Sequence, residues 1–199
     1  MTPLPLRREM AQQQLHFQLI VGNVEEAFYA PIKNGMADAA AQTGVTAEFI
    51  GTVGFSAEAQ GEMIAAAGAN KDVHGVGVQQ AAGDMNAAVE ACVSGGTPVV
   101  GFSVDASTPG NKRLSCICQD FVPSGRSLGG LGLRDGLKEG SKVLLLHHDD
   151  GVDCLEERIQ GIKEALIGAT FVRAPACGIT MEAAAEVVAA AIAEHGPFE

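Results

Sequence analysis

Seven short apolar runs, separated by stretches of helical period, constrain this chain more than any other feature, and they fall into two series. Residues 16–22, 46–50, 73–78 and 98–102 form the first series, and residues 114–118, 142–147 and 169–173 form the second. Strand and helix patterns in alternation predict right-handed βαβ units on parallel sheets. An irregular segment at 105–111 separates the series. The pattern therefore predicts an α/β fold of two lobes, residues 15–104 and residues 105–199, the second unfinished. Ligands in such folds bind beyond the carboxyl ends of strands, so the residues at those ends are the candidates for function.

Hydrophobic residues make up 47% of the chain. No window carries the roughly 18 uninterrupted apolar residues of a membrane span, and the chain reads as soluble. A net charge of -11 without a Lys/Arg cluster argues against a nucleic-acid partner, whose phosphates need concentrated positive charge. Residues 1–14 are polar, and Arg7 and Arg8 are not followed by the apolar stretch of an export signal. That absence leaves open a mature exported protein, a cytosolic one or a displaced start. The five cysteines form no C-x-x-C pair and no zinc-spaced Cys/His set, so no metal site and no cofactor are expected. Cys116 and Cys118, two apart in a strand, point to the same side and are expected to fill core space.

Leu155, Ile159, Ile162 and Leu166 recur along one face of a helix opened by Asp153 as N-cap. Met181, Ala185, Val188 and Ile192 do so behind Thr180, and Met85, Val89, Cys92 and Val93 behind Asp84. Each stripe is expected to cover a sheet face. Val143, Leu144, Leu145 and Leu146 are continuously apolar, which predicts a strand buried on both faces. Gly129, Gly130 and Gly132 sit inside a helical pattern that begins near Pro123, and no strand leads into a phosphate-loop motif. They are expected to serve close helix packing.

The first strand is followed by Asn23, Glu25, Phe28 and Tyr29. Two adjacent aromatics at a sheet's carboxyl edge, in a chain with a single tyrosine, offer a stacking surface for a sugar ring. They could equally staple the first helix to the sheet. Ser103 and Asp105 follow the fourth strand and Asp120 the fifth; such groups can bond adjacent hydroxyls or cap the next turn. His147 and His148, adjacent in a strand, point to opposite faces and do not chelate together easily, so a turn with solvated carboxylates at Asp149 and Asp150 is expected. No Ser/His/Asp set, nucleophile elbow or H-E-x-x-H helix is present, so no catalytic residue is assigned.

In order and spacing these segments resemble the type I periplasmic solute-binding proteins of sugar ABC importers, the ribose-binding group. The resemblance rests on Phe28-Tyr29 ahead of Ile32-Lys33-Asn34-Gly35, on Val73-His74-Gly75-Val76, and on Thr97-Pro98-Val99-Val100. Asp105-Ala106 leading to Lys112-Arg113, Gln119-Asp120 with Gly125-Arg126, and Glu157-Arg158 with Gly161 complete it. It implies two Rossmann-like lobes joined by hinge strands, a monosaccharide or similar polyol bound between them without catalysis, delivery to a membrane permease, and a periplasmic or extracellular location. By position Phe28 and Tyr29 match aromatics that sandwich the sugar, with Asn23 and Glu25 in the loop that adds polar contacts. Ser103 stands where the family usually has an acidic residue, which leaves Asp105 as its substitute. Glu156 falls near the place of a ligand-contacting arginine, and Arg158 at a structural one.

Members of that family run roughly a hundred residues further, completing the second lobe and recrossing the hinge. A chain ending at Glu199 is therefore expected to bind its sugar weakly or not at all as a monomer, and to self-associate through bare apolar faces. Two other readings compete. The effector-binding core of a lactose-repressor-type regulator shares the fold, but its DNA-binding helices do not fit in residues 1–14. A flavodoxin-like nucleotide-using enzyme would need a phosphate loop that is not seen.

Overall fold

The computed structural model describes residues 14–81, 85–105 and 111–199. The readings of residues 1–13, of Asp84 as a cap, of Ala106 and of most of the irregular segment at 105–111 lie outside the described residues. Two units interleave along the chain. The first comprises residues 1–78, 85–100 and 111–115; the second comprises 79–84, 101–110 and 116–199.

In the first unit, β1 (His16–Val21) runs parallel to both β2 (Thr46–Gly51) and β3 (Gly75–Val78), pairing His16 with Thr46 and Phe17 with Gly75. Small residues in β3 are what let its neighbour's aromatic lie flat, since a Cβ on Gly75 would sit 2.9 Å from the Phe17 ring. β4 (Val99–Ser103) and β5 (Ser115–Cys118) complete a five-stranded sheet of order β2-β1-β3-β4-β5, and both strands continue into the second unit. α1 (Ala30–Thr43) ends at Gly44 in the left-handed region, φ 72°. α2 (Ala57–Ala69) starts where the Ser56 side chain accepts from the Ala59 N–H at 3.2 Å. Ile64 and Ala67 of α2 meet Met85, Val89 and Cys92 beside α3 (Asn86–Ser94), and Ile20, Val76, Val78 and Val99 of the sheet close this core. The expected stripe of Met85, Val89 and Cys92 is buried as its spacing predicts.

In the second unit, β6 (Lys142–Leu145) and β7 (Thr170–Arg173) form a separate two-stranded parallel sheet. α4 (Phe121–Arg134) and α5 (Asp153–Ala165) cross at backbone contact: a Cβ on Gly125 would fall 2.1 Å from the Arg158 carbonyl oxygen, and one on Gly161 2.1 Å from that of Val122. Gly129 packs the same way against Ile162 and Ala165, as the sequence predicts, whereas Gly130 faces open space. α6 (Met181–His195) begins at Thr180, whose hydroxyl accepts from the Ala183 N–H at 3.2 Å.

Four expectations need correction. The N-cap of α5 is Val152, one residue before Asp153. The α6 stripe is not buried: Met181 is 84% exposed and Ile192 52%, while Ala191 is the buried residue of the helix. Alanine occurs at buried, half-buried and exposed positions of α6, so spacing alone could not choose a face. β6 is only half-buried and Leu146 is exposed, because its sheet has two strands rather than several. His147 is buried, with Nε2 2.6 Å from Asp150 Oδ1, while the Asp150 carboxylate is exposed, as expected of that turn. Cys116 is half-buried and Cys118 exposed, so neither fills a core.

Candidate ligand-binding site

The sheet order of the first unit has a switch point at β1. The chain leaves β1 for β2 on one side, and later returns to place β3 on the other, and it is beyond the carboxyl ends at such a point that open α/β sheets bind ligands. Residues 22–29 form the loop at that place, and they are strapped down from several directions. The Val24 N–H donates to the Thr52 carbonyl at 2.9 Å, and the Thr52 hydroxyl to the carbonyl of Gly22. Asn23 is buried; its Oδ1 accepts from the Glu25 and Gly54 N–H groups, both at 3.3 Å. Lys33 reaches back from α1, donating to the Val24 carbonyl at 3.0 Å while its ammonium lies 5.1 Å from the Phe49 ring centre.

The two aromatics differ sharply in burial. Tyr29 is 2% exposed, edge-on to Phe28 at 5.3 Å and tilted against Phe49 at 5.6 Å. Phe28 is 66% exposed and offers its ring outward from that buried support. Tyr29 thus holds the helix to the sheet, and Phe28 presents a rigid apolar face beside the exposed Glu25.

The other candidates belong to the second unit. Ser103 ends β4 with φ 67°, and the Val104 N–H donates across it to the Phe102 carbonyl at 2.8 Å. That is a γ-turn of the positive-φ kind, a strained conformation for a residue with a Cβ. It turns the half-buried Asp105 away from the strand direction. Asp120 occupies the N-cap of α4, yet its side chain makes no capping hydrogen bond, and its carboxylate is exposed. Asp105 and Asp120 share a neighbourhood: burial first, and then the charges of Asp153, Asp120 and Asp105, hold the Glu157 carboxyl above the usual carboxylate range.

Glu156 is engaged elsewhere. Arg173, at the carboxyl end of β7, grips it with two guanidinium nitrogens at 2.8 and 2.5 Å and also lies 3.4 Å from Asp150. This hydrogen-bonded pairing lowers the Glu156 pKa. The sequence reading passed over Arg173, although a charged residue ending a strand is the signal that drew attention to Asp105 and Asp120.

The model of the periplasmic binding protein domain matches residues 17–196, nearly the whole chain. The chain belongs to that family. Its fold is that of type I periplasmic binding proteins. It superimposes with a TM-score of 0.79 on a glucose-galactose binding protein from Geobacillus stearothermophilus, at 20% identity, covering 92% of this chain and 66% of that one. A carbohydrate transporter from Acidothermus cellulolyticus 11B, in complex with myo-inositol, gives 0.80 at 22% identity over 92% of this chain and 62% of its own. A solute-binding protein of an ABC transporter from Burkholderia graminis C4D1M, in complex with D-arabinose, gives 0.84 at 18% identity over 96% and 66%. The chain thus spans just under two thirds of these three structures. No curated protein matches the sequence. No helix among the described residues is long and apolar enough to cross a membrane.

Proposed function

We propose that this chain is the solute-binding component of an ABC importer and that it holds a monosaccharide or similar polyol without transforming it. The observation that carries the reading is Phe28: a solvent-facing ring, braced by a buried Tyr29, at the switch point of a sheet in a periplasmic-binding-protein fold. The apolar C-H face of a pyranose or furanose stacks on such a ring, and Asn23 and Glu25 lie in the same loop to bond its hydroxyls. Ser103, at the end of the first lobe, and Asp105 and Asp120, in the second, are the further polar groups of the proposed set, with the lobes drawn at residues 15–104 and 105–199. Glu156, paired with Arg173, is the outlying member of the proposed set. The permease of the importer is the partner, and the location is periplasmic or extracellular.

The reading draws support from structures of the same fold that hold myo-inositol and D-arabinose. A chain spanning just under two thirds of these relatives is expected to bind weakly, and the exposed α6 face, with Met181 and Ile192, favours self-association. Saturation-transfer NMR detects binding in that weak range. With a panel of pentoses, hexoses and inositols, at least one member is expected to receive saturation from the protein, and Phe28→Ala is expected to abolish it. A panel with no responding member, under conditions where sedimentation shows folded protein, contradicts the proposal.

A further inference from the structure

We infer that Asp105, Cys116 and Cys118 form a binding site for a thiophilic divalent cation of the zinc class. One ligand atom from each residue, the two Sγ atoms and a carboxylate oxygen, lies within 4.8 Å of the other two. Three atoms bound to one tetrahedral zinc, at Zn–S of about 2.3 Å and Zn–O of about 2.0–2.2 Å, stand roughly 3.5–3.8 Å apart. Side-chain rotations that move each atom by less than about 1 Å bring this set to a common centre.

The local structure explains why the three converge. Cys116 and Cys118 alternate with Ile117 along β5, so both thiols project from one face of the strand while Ile117 is 76% exposed on the other. β4 is the neighbour of β5 in the sheet, and the γ-turn at Ser103 redirects the chain that carries Asp105. The same spacing disfavours a disulfide. Residues i and i+2 of a strand have Cα atoms about 6.6–6.8 Å apart, at the far limit for a bridge, whereas two thiolates spanned by a metal need no such contraction.

Charge and access point the same way. Asp105 and Asp120, together with Asp153, act on Glu157, so the surroundings carry excess negative charge. The neighbouring cation, Arg158, is committed to Gln119 Oε1 at 3.2 Å and to the Phe121 ring at 4.9 Å. Cys118 is exposed, which gives an ion a route in and leaves water to fill the fourth position. Two thiolates with one carboxylate suit zinc better than magnesium or calcium, which take oxygen donors. The two thiol protons pass to solvent when the ion binds. The inference stands apart from the sugar reading, and its test uses metal alone.

The test is cobalt and zinc titration of the chelator-treated, reduced chain, followed by absorption and by competition with a chromophoric chelator. Expected are one ion per chain, thiolate-to-cobalt charge-transfer bands in the near ultraviolet, and their loss on adding zinc. Cys116→Ser, Cys118→Ser and Asp105→Asn should each weaken binding, and the double cysteine variant should lose more than about 100-fold, beyond the cost of losing an outer-sphere partner. Cys177→Ser should bind like the parent. A parent chain without charge-transfer bands overturns the inference, and so does a circular-dichroism-verified Cys118→Ser variant of unchanged affinity.

Discussion

Ser103 carries a conformation that its side chain resists. At φ 67° its Cβ crowds the backbone at a cost of roughly 1–2 kcal/mol, which glycine does not incur. Ser103→Gly is therefore expected to raise the stability of the chain by about 1 kcal/mol in denaturant titration, and Ser103→Ala to leave it unchanged. Glu156 and Glu157, adjacent in sequence, respond to pH in opposite ways. Arg173 lowers the Glu156 pKa, so that pair contributes above the ordinary glutamate range and fades as pH falls through the lowered value. Both partners are substantially exposed, so the contribution is below about 1 kcal/mol. Glu157 is raised by burial and by three carboxylates, so its folded form favours the proton and loses that advantage as pH rises through the raised value. Glu157→Gln should stabilise the chain at neutral pH by about 0.5 kcal/mol, the size of an i,i+4 like-charge pair with Asp153. Melting curves at neutral pH and below about pH 4 check it, since the gain should vanish once the parent glutamate is protonated.

At the scale of elements, the α4–α5 crossing depends on the absence of side chains at two positions. Gly161→Ala places a methyl against the backbone of Val122 and Arg126 and should destabilise by about 1–3 kcal/mol or more, whereas Gly130→Ala on the open side of α4 should be neutral or stabilising by up to about 1 kcal/mol. Thermal melts of the two variants side by side separate packing from propensity. The strands and the helices at α3, α4 and α5 were legible because their apolar spacing has one dominant reading. The buried face of α6 was not, since an alanine-rich helix has no single apolar stripe, and neither was the exposure of Cys116 and Cys118 in β5, which read as core but lie on an edge strand. The site was legible in part. Position in the loop after β1 marked Asn23, Glu25, Phe28 and Tyr29 together, but no pattern in the sequence says that Tyr29 is covered by Phe49, which lies on another strand. Arg173 was hidden for the same reason: its meaning comes from Glu156, on a different element.

At the scale of the molecule, the chain divides into two units, and its described strands form two sheets, one of five strands that runs into both units and one of two strands. The order β2-β1-β3-β4-β5 is shared with flavodoxin-like sheets, so the sheet alone does not separate the two readings, and the family match does. What the family membership adds is the reading of the β1 switch point as a place where a solute rests rather than reacts. Backbone amide shifts, assigned and followed while pentoses, hexoses and inositols are titrated in, test this most directly. The account predicts that a responding sugar moves the amides of residues 22–29 first, with residues 103–105 and 120 following. Shifts confined to surfaces away from that loop, or none with any sugar in the panel, contradict it.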